Sequence, residues 1–187
     1  MLAAAREALK NGKVAVAPCS GFHHAGWDSP FGYCTFNGLM VTALALKEEN
    51  SLSKIGIIDF DMHYGDGTDT IIDHLGIDWI IHYSAGDKYS MPTQAKEFLA
   101  AIRDITHMMT GCDLVLYQAG ADPHVDDPLG GFLTTEQLRT RDRMVFEMLS
   151  KMKIPVAWNL AGGYQEPVRK VLDIHDNTMD ACLEIYG

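Results

Sequence analysis

The chain lacks any continuous apolar run approaching the roughly 18 residues that cross a bilayer, so no membrane-embedded part and no membrane partner is expected of it. It is short of cysteine. Cys19, Cys34, Cys112 and Cys182 are scattered with no CxxC pair, and the expectation is reduced thiols in a cytoplasmic protein. It is also short of positive charge: 15 Lys and Arg stand against 25 Asp and Glu, a formal balance of −10. That balance argues against a nucleic-acid binder, which would carry a basic face, and it suits a cationic substrate. Internal repeats, low-complexity tracts and linkers are absent. The opening stretch "MLAAAREALKNGK" has no apolar core of the kind a signal peptide needs. Its spacing suits an amphipathic helix stopped at Gly12.

What is present is the composition of an ordinary folded domain, 47% hydrophobic and 21% charged over 187 residues, enough to bury a real core. Short apolar runs at 14–17, 54–59, 78–83, 113–118 and 155–160 read as strands. Helical patterns lie between them at 37–49, 68–74, 93–109 and 134–151, with a last one near 166–186. Thr134 and Thr135, followed by Glu136 and Gln137, have the chemistry of a helix N-terminus. Strands that are apolar throughout and separated by helices predict a parallel sheet covered on both faces. The expectation is one α/β domain over residues 1–187.

In such sheets ligands gather at the carboxyl ends of the strands, and the unusual residues follow the strands here. "PCSGFHHAGWDSPFGYC" comes after the first, "DFDMHYGDG" after the second and "HYSAGD" after the third; "AGADPHVDDPLGG" follows the fourth and "AGGYQEP" the fifth. Asp61 and His63 are two apart, so in an extended segment both face one side. Asp122 could reach the same point from a neighbouring strand end. Two carboxylates and one imidazole suit a zinc site with three protein ligands and a position left for water and substrate. An isolated D-x-H would be read as a solvated turn; the converging loops favour a metal.

"FHHA" places His23 and His24 in tandem, where imidazoles could take and return a water's proton near pH 7. Asp59 and Asp66 would orient those rings through their second nitrogens. Tyr164, after Gly162 and Gly163, could donate its hydroxyl to an oxygen gaining negative charge. Gly32 and Tyr33 sit on the histidine loop, where an aromatic wall could hold a narrow substrate. His74, His107 and His175 read as surface or packing residues, and His124 as part of a solvated turn.

Together "GFHHAGWDSPFGYCTFN", "IIDFDMHYGDG", "YQAGADPHVDDPLGGF" and "NLAGGY" resemble the zinc-dependent histone deacetylase family, which includes bacterial acetylpolyamine amidohydrolases. The resemblance implies an arginase/deacetylase fold and removal of an acetyl group from an amine such as acetyl-lysine or an acetylpolyamine. It implies Asp61, His63 and Asp122 as zinc ligands. His24 would be the general base and then acid, His23 an electrostatic partner, with Asp59 and Asp66 as their carboxylates. Tyr164 would stabilise the oxyanion, and Gly32 and Tyr33 would stand at the channel. The family also binds a structural potassium ion, to which Asp59, Asp61 and His63 would contribute, with His82 and Tyr83 as further candidates. Members are usually longer, so N-terminal strands and a substrate-gripping acidic loop are expected to be missing, as are a glycine-rich loop and a strand between Asp87 and Thr93. Tyr64 stands where many members have a second histidine, and Tyr33 where many have Phe.

Two other readings compete. A metal-binding but inactive deacetylase-like fragment or interaction protein would hold zinc without turnover. An arginase-like site with two manganese ions would need D-x-H-x-D and a second D-x-D, whereas Gly65 stands two after His63 and His124 two after Asp122. Oligomeric state stays open; an uncovered sheet edge would favour a homo-oligomer.

Overall fold

The computed structural model describes residues 1–50 and 52–187. Among them, five strands form a single sheet: β1 (Val14–Ala17), β2 (Ile55–Asp59), β3 (Ile80–Ser84), β4 (Leu114–Gly120) and β5 (Val156–Ala161), in the order β1-β5-β4-β2-β3. Every neighbouring pair is parallel. The expected α/β fold class is therefore observed. The central strands β2 and β4 are buried along their whole length, which is why they read as unbroken apolar runs.

Alternation along the strands separates two cores. Ile55 and Ile57 of β2, Leu114 and Leu116 of β4 and Ala157 of β5 point to one face. There they pack on α1 (Leu2–Asn11), α2 (Gly38–Asn50) and α3 (Asp66–Leu75), through Ala5, Ala8, Leu39, Leu46 and Ile71. Ile58, Val115, Tyr117, Val156 and Trp158 point to the other face. Against them lie α4 (Ala95–His107), α5 (Thr135–Met152) and α6 (Arg169–Tyr186), an aromatic-rich layer that includes Phe98 and Phe146. Burying a residue such as Phe98 or Leu46 is worth about 1.5–3 kcal/mol each, so both cores contribute on the same scale.

Helix boundaries shift from expectation where local chemistry decides. Helix α1 ends as expected, with Gly12 in the left-handed conformation that a C-cap favours. Thr134 caps α5 in a capping box with Gln137. Helix α4 starts at Ala95, behind a short 3-10 turn over Pro92–Gln94. Helix α6 starts at Arg169, because Pro167 disfavours helical backbone in the residue before it. No helix among the described residues is long and apolar enough to cross a membrane.

Candidate functional site

The carboxyl ends of β2 and β4 lie side by side, with Asp59 opposite Gln118. The ladder continues one bond further, the Phe60 N–H donating to the Gln118 carbonyl at 3.0 Å. Immediately beyond, the chain delivers Asp61 and His63 from one strand and Asp122 from the other. His63 Nδ1 lies 3.2 Å from Asp61 Oδ1 and 3.0 Å from Asp122 Oδ2. Backbone amides fix both carboxylates: Met62 N–H donates to Asp122 at 3.1 Å and His63 N–H to Asp61 at 3.0 Å. One donor atom from each of the three residues lies within 4.8 Å of the others.

Two carboxylates buried this deeply, 4% exposed for Asp61 and 0% for Asp122, repel each other unless a cation lies between them. Burial and the charge of Asp61 push Asp122 up to about 6. Hydrogen bonds to Asp122 and Asp61 raise His63 to about 10, so a proton on His63 offsets one of the pair's two negative charges when no metal does. An oxygen, nitrogen and oxygen donor set around one point fits a divalent ion with an open position. A ligand must be deprotonated to bind, so metal uptake at pH 7 is expected to release about one proton per ion and to weaken as pH falls. Calorimetry in buffers of different ionisation enthalpy would measure the release. Uptake with no proton release would contradict this arrangement of charges.

The loop after β1 places the tandem histidines against this cluster. His23 Nδ1 is 2.7 Å from Asp59 Oδ2, and His24 Nδ1 is 2.7 Å from Asp66 Oδ1. The other nitrogen of His23 lies 3.5 Å from Asp61. The two imidazole centroids are 4.1 Å apart, and that of His24 is 5.9 Å from His63. Burial alone would depress His23, but Asp59, backed by Asp61 and Asp122, raises it to about 9. Gly32 packs against the His24 ring in a left-handed conformation (φ +52°); a Cβ there would sit 2.4 Å from the ring. Only glycine allows this contact.

Tyr164 arrives on the loop after β5. Burial and the negative charges of Asp122 and Asp61 push its hydroxyl well above the ordinary tyrosine range, which keeps it a proton donor. Tyr33, 88% exposed, stands at the rim with its ring 5.8 Å from that of Tyr164. An open cavity of about 440 Å³ lies beside His24, Met62, His63, Asp66 and Leu129.

Residues that the sequence reading passed over hold this arrangement together. Gln118 bridges two loops: its Nε2 donates to Asp59 at 3.1 Å, and its Oε1 accepts the Phe22 N–H at 3.1 Å. A glutamine in the strand "LVLYQAG" was the available signal. Ser84 donates to Asp59 at 3.3 Å. His82, by contrast, turns to Asp69 at 2.7 Å, and Tyr83 packs on Phe60. The Asp59 carboxylate is thus engaged by His23, Gln118, Ser84 and the Asp61 N–H. Beneath the cluster, fully buried Arg141 donates from Nη1 to the Phe60 carbonyl at 3.0 Å and to the Gly120 carbonyl at 2.8 Å, and from Nε to Asp142 at 2.7 Å. Asp142 also accepts from Thr178 at 2.6 Å and from the Tyr117 hydroxyl. The solvated turn expected at His124 is corrected. That side chain is buried, with Nε2 2.9 Å from Thr135 Oγ1 and Nδ1 accepting the Asp126 N–H at 3.1 Å, because the loop docks on the start of α5.

The histone deacetylase domain family model matches residues 1–76 and 81–179. An uncharacterized protein of Picosynechococcus sp. is 27% identical over 201 residues, covering 97% of this chain and 66% of that protein. Histone deacetylase 2 of Arabidopsis thaliana is 25% identical over 175 residues, 81% of this chain and 44% of that protein. Among solved structures, an acetylpolyamine aminohydrolase from Burkholderia pseudomallei superposes with a TM-score of 0.77 at 18% identity, over 100% of this chain and 61% of that one. The chain thus spans under two thirds of the length of each of these relatives. With the family model covering nearly all of it, the chain belongs to the histone deacetylase domain family.

Proposed function

We propose that the chain is a zinc-dependent amidohydrolase that removes an acetyl group from an amine such as acetyl-lysine or an acetylpolyamine. The observation that carries the reading is the convergence of Asp61, His63 and Asp122 on one point, flanked by two carboxylate-paired histidines. Those three residues would hold the zinc, which when bound polarises an amide carbonyl and lowers the pKa of water toward neutrality. With Nδ1–H donated to Asp66, His24 keeps its Nε2 lone pair to take a proton from the attacking water. The same nitrogen returns that proton to the departing amine as the C–N bond breaks, giving acetate and a free amine. His23, paired with Asp59 at 2.7 Å, acts by electrostatics beside His24. Tyr164 donates to the carbonyl oxygen as it becomes negative. The charge of −10 and the likeness to an acetylpolyamine aminohydrolase favour a cationic amine.

The test is zinc content by elemental analysis together with acetate release from acetyl-lysine and acetylpolyamine probes. About one zinc per chain with turnover is expected. Tyr164→Phe should keep the zinc and lower kcat about 10²–10³-fold, the usual cost of one oxyanion donor. A second reading, a metal-binding domain without turnover, is favoured by the 88% exposure of Tyr33, which leaves the rim open on that side. Zinc without acetate release would establish it, and absence of zinc would sink both.

A further inference from the structure

We propose that Asp127 is a positioning residue for Tyr164, a carboxylate that fixes where the tyrosine stands over the metal-ligand cluster. The inference rests on the hydrolase reading above. Tyr164 follows two residues of left-handed backbone, Gly162 at φ +54° and Gly163 at φ +99°. Glycines give the backbone its greatest freedom, so the tyrosine's place must be set by what its own main chain bonds to. The Tyr164 N–H donates to Asp127 Oδ2 at 2.8 Å. The other carboxylate oxygen accepts the Leu129 N–H at 3.0 Å.

Asp127 is well suited to act as the fixed partner. It is buried, and its own turn is closed by its N–H donating to the His124 carbonyl at 2.9 Å and by the Gly130 N–H donating to its carbonyl at 3.2 Å. The turn begins at Asp122, and Ala121 N–H bonds to the Ala161 carbonyl at 2.7 Å, directly before the glycine pair. One carboxylate therefore ties the loop that starts at a metal ligand to the loop that carries the oxyanion donor. Its second bond sets the backbone of Leu129, which lines the cavity beside His63. Among the described residues Asp127 has no ion-pair partner, so a negative charge is buried there for two amide bonds alone. Burying a charge without a counter-ion is costly, and charge-assisted bonds to N–H groups are the stronger kind. Asp126, next to it, is exposed and makes no such contact with the tyrosine loop.

Misplacing a reacting group by about 1 Å costs on the order of 10²-fold in rate. Asp127→Ala is therefore expected to lower kcat about 10–100-fold, leaving KM and zinc content within about twofold. In a Tyr164→Phe background, where no hydroxyl remains to be placed, the same substitution should cost less than about threefold. Asp127→Asn keeps an oxygen for the Tyr164 N–H and should recover most of the loss. A readout independent of turnover is hydrogen exchange: the Tyr164 amide should exchange faster in Asp127→Ala, with the Met62 amide unchanged. Equal losses in both backgrounds, or unaltered exchange at Tyr164, would overturn the proposal. If Asp127→Ala does not fold, the Asn variant decides it: near-normal kcat and Tyr164 exchange support the clamp, and a large loss of kcat with unaltered exchange overturns it. Should the unaltered chain bind zinc and turn nothing over, the hydrolase reading fails, while amide exchange still decides whether Asp127 holds Tyr164.

Discussion

Asp122→Ala is expected to abolish both metal retention and acetate release. Asp122 is fully buried, accepts the Met62 N–H and lies 3.0 Å from His63. Its removal leaves two of the three proposed ligands and frees the imidazole to turn wholly toward Asp61. Zinc remaining after dialysis should fall from about one per chain to a small fraction of that. A stability measurement separates this from general damage. Zinc at about 100 times its Kd should stabilise the unaltered chain by about 2.7 kcal/mol, by mass action alone. The variant should show no such gain while keeping a cooperative transition. Full zinc retention in Asp122→Ala would mean that the ion is held elsewhere.

The second large effect is on folding and comes from Arg141. Replacing it with Met removes the donor shared by the Phe60 and Gly120 carbonyls and leaves Asp142 buried without its cation. Breaking one side of a buried ion pair costs about 3–5 kcal/mol, and urea unfolding should register that loss. Substituting Asp142→Leu together with Arg141→Met should recover part of the stability, since two apolar residues no longer strand a charge. Zinc affinity should fall even in the stable fraction, because the guanidinium ties together the two strand ends that carry Asp61 and Asp122. A loss below about 1 kcal/mol, the scale of an exposed pair, would show that the network does little for the fold.

Which parts of this were readable from residues alone follows from what decides them. The strands were legible because parallel strands covered on both faces carry few polar interruptions, as in "IGIID". Asp61 and His63 were legible because neighbours two apart share a side. The strand order was not, since the pairing of Val14 with Val156 is settled by packing far along the chain. Arg141 sits between Arg139 and Arg143, which keep 39% and 45% of their side chains exposed, and only docking of the helix face distinguishes it. Asp126 and Asp127 are adjacent acids in one turn, and burial selects the second. The burial of His124 is hidden for the same reason: it is conferred by α5, not by its own neighbours.

The sheet order also imposes a sequence of assembly. β2, β3 and β4 pair among themselves, so the cluster of Asp61, His63 and Asp122 can meet as soon as β4 and its following turn exist. Among the described residues β1 precedes the other four strands yet pairs only with β5, the last of the five, so that pairing waits until β5 is made. The histidine loop leaves β1, and Tyr164 leaves β5. The proposed metal ligands can therefore gather before the strands carrying the proposed acid–base and oxyanion groups have joined the sheet. Closing so long a loop is slow relative to local pairing. On the proposed reading, sheet pairing during synthesis would complete the ion-holding cluster before the groups proposed for hydrolysis join it.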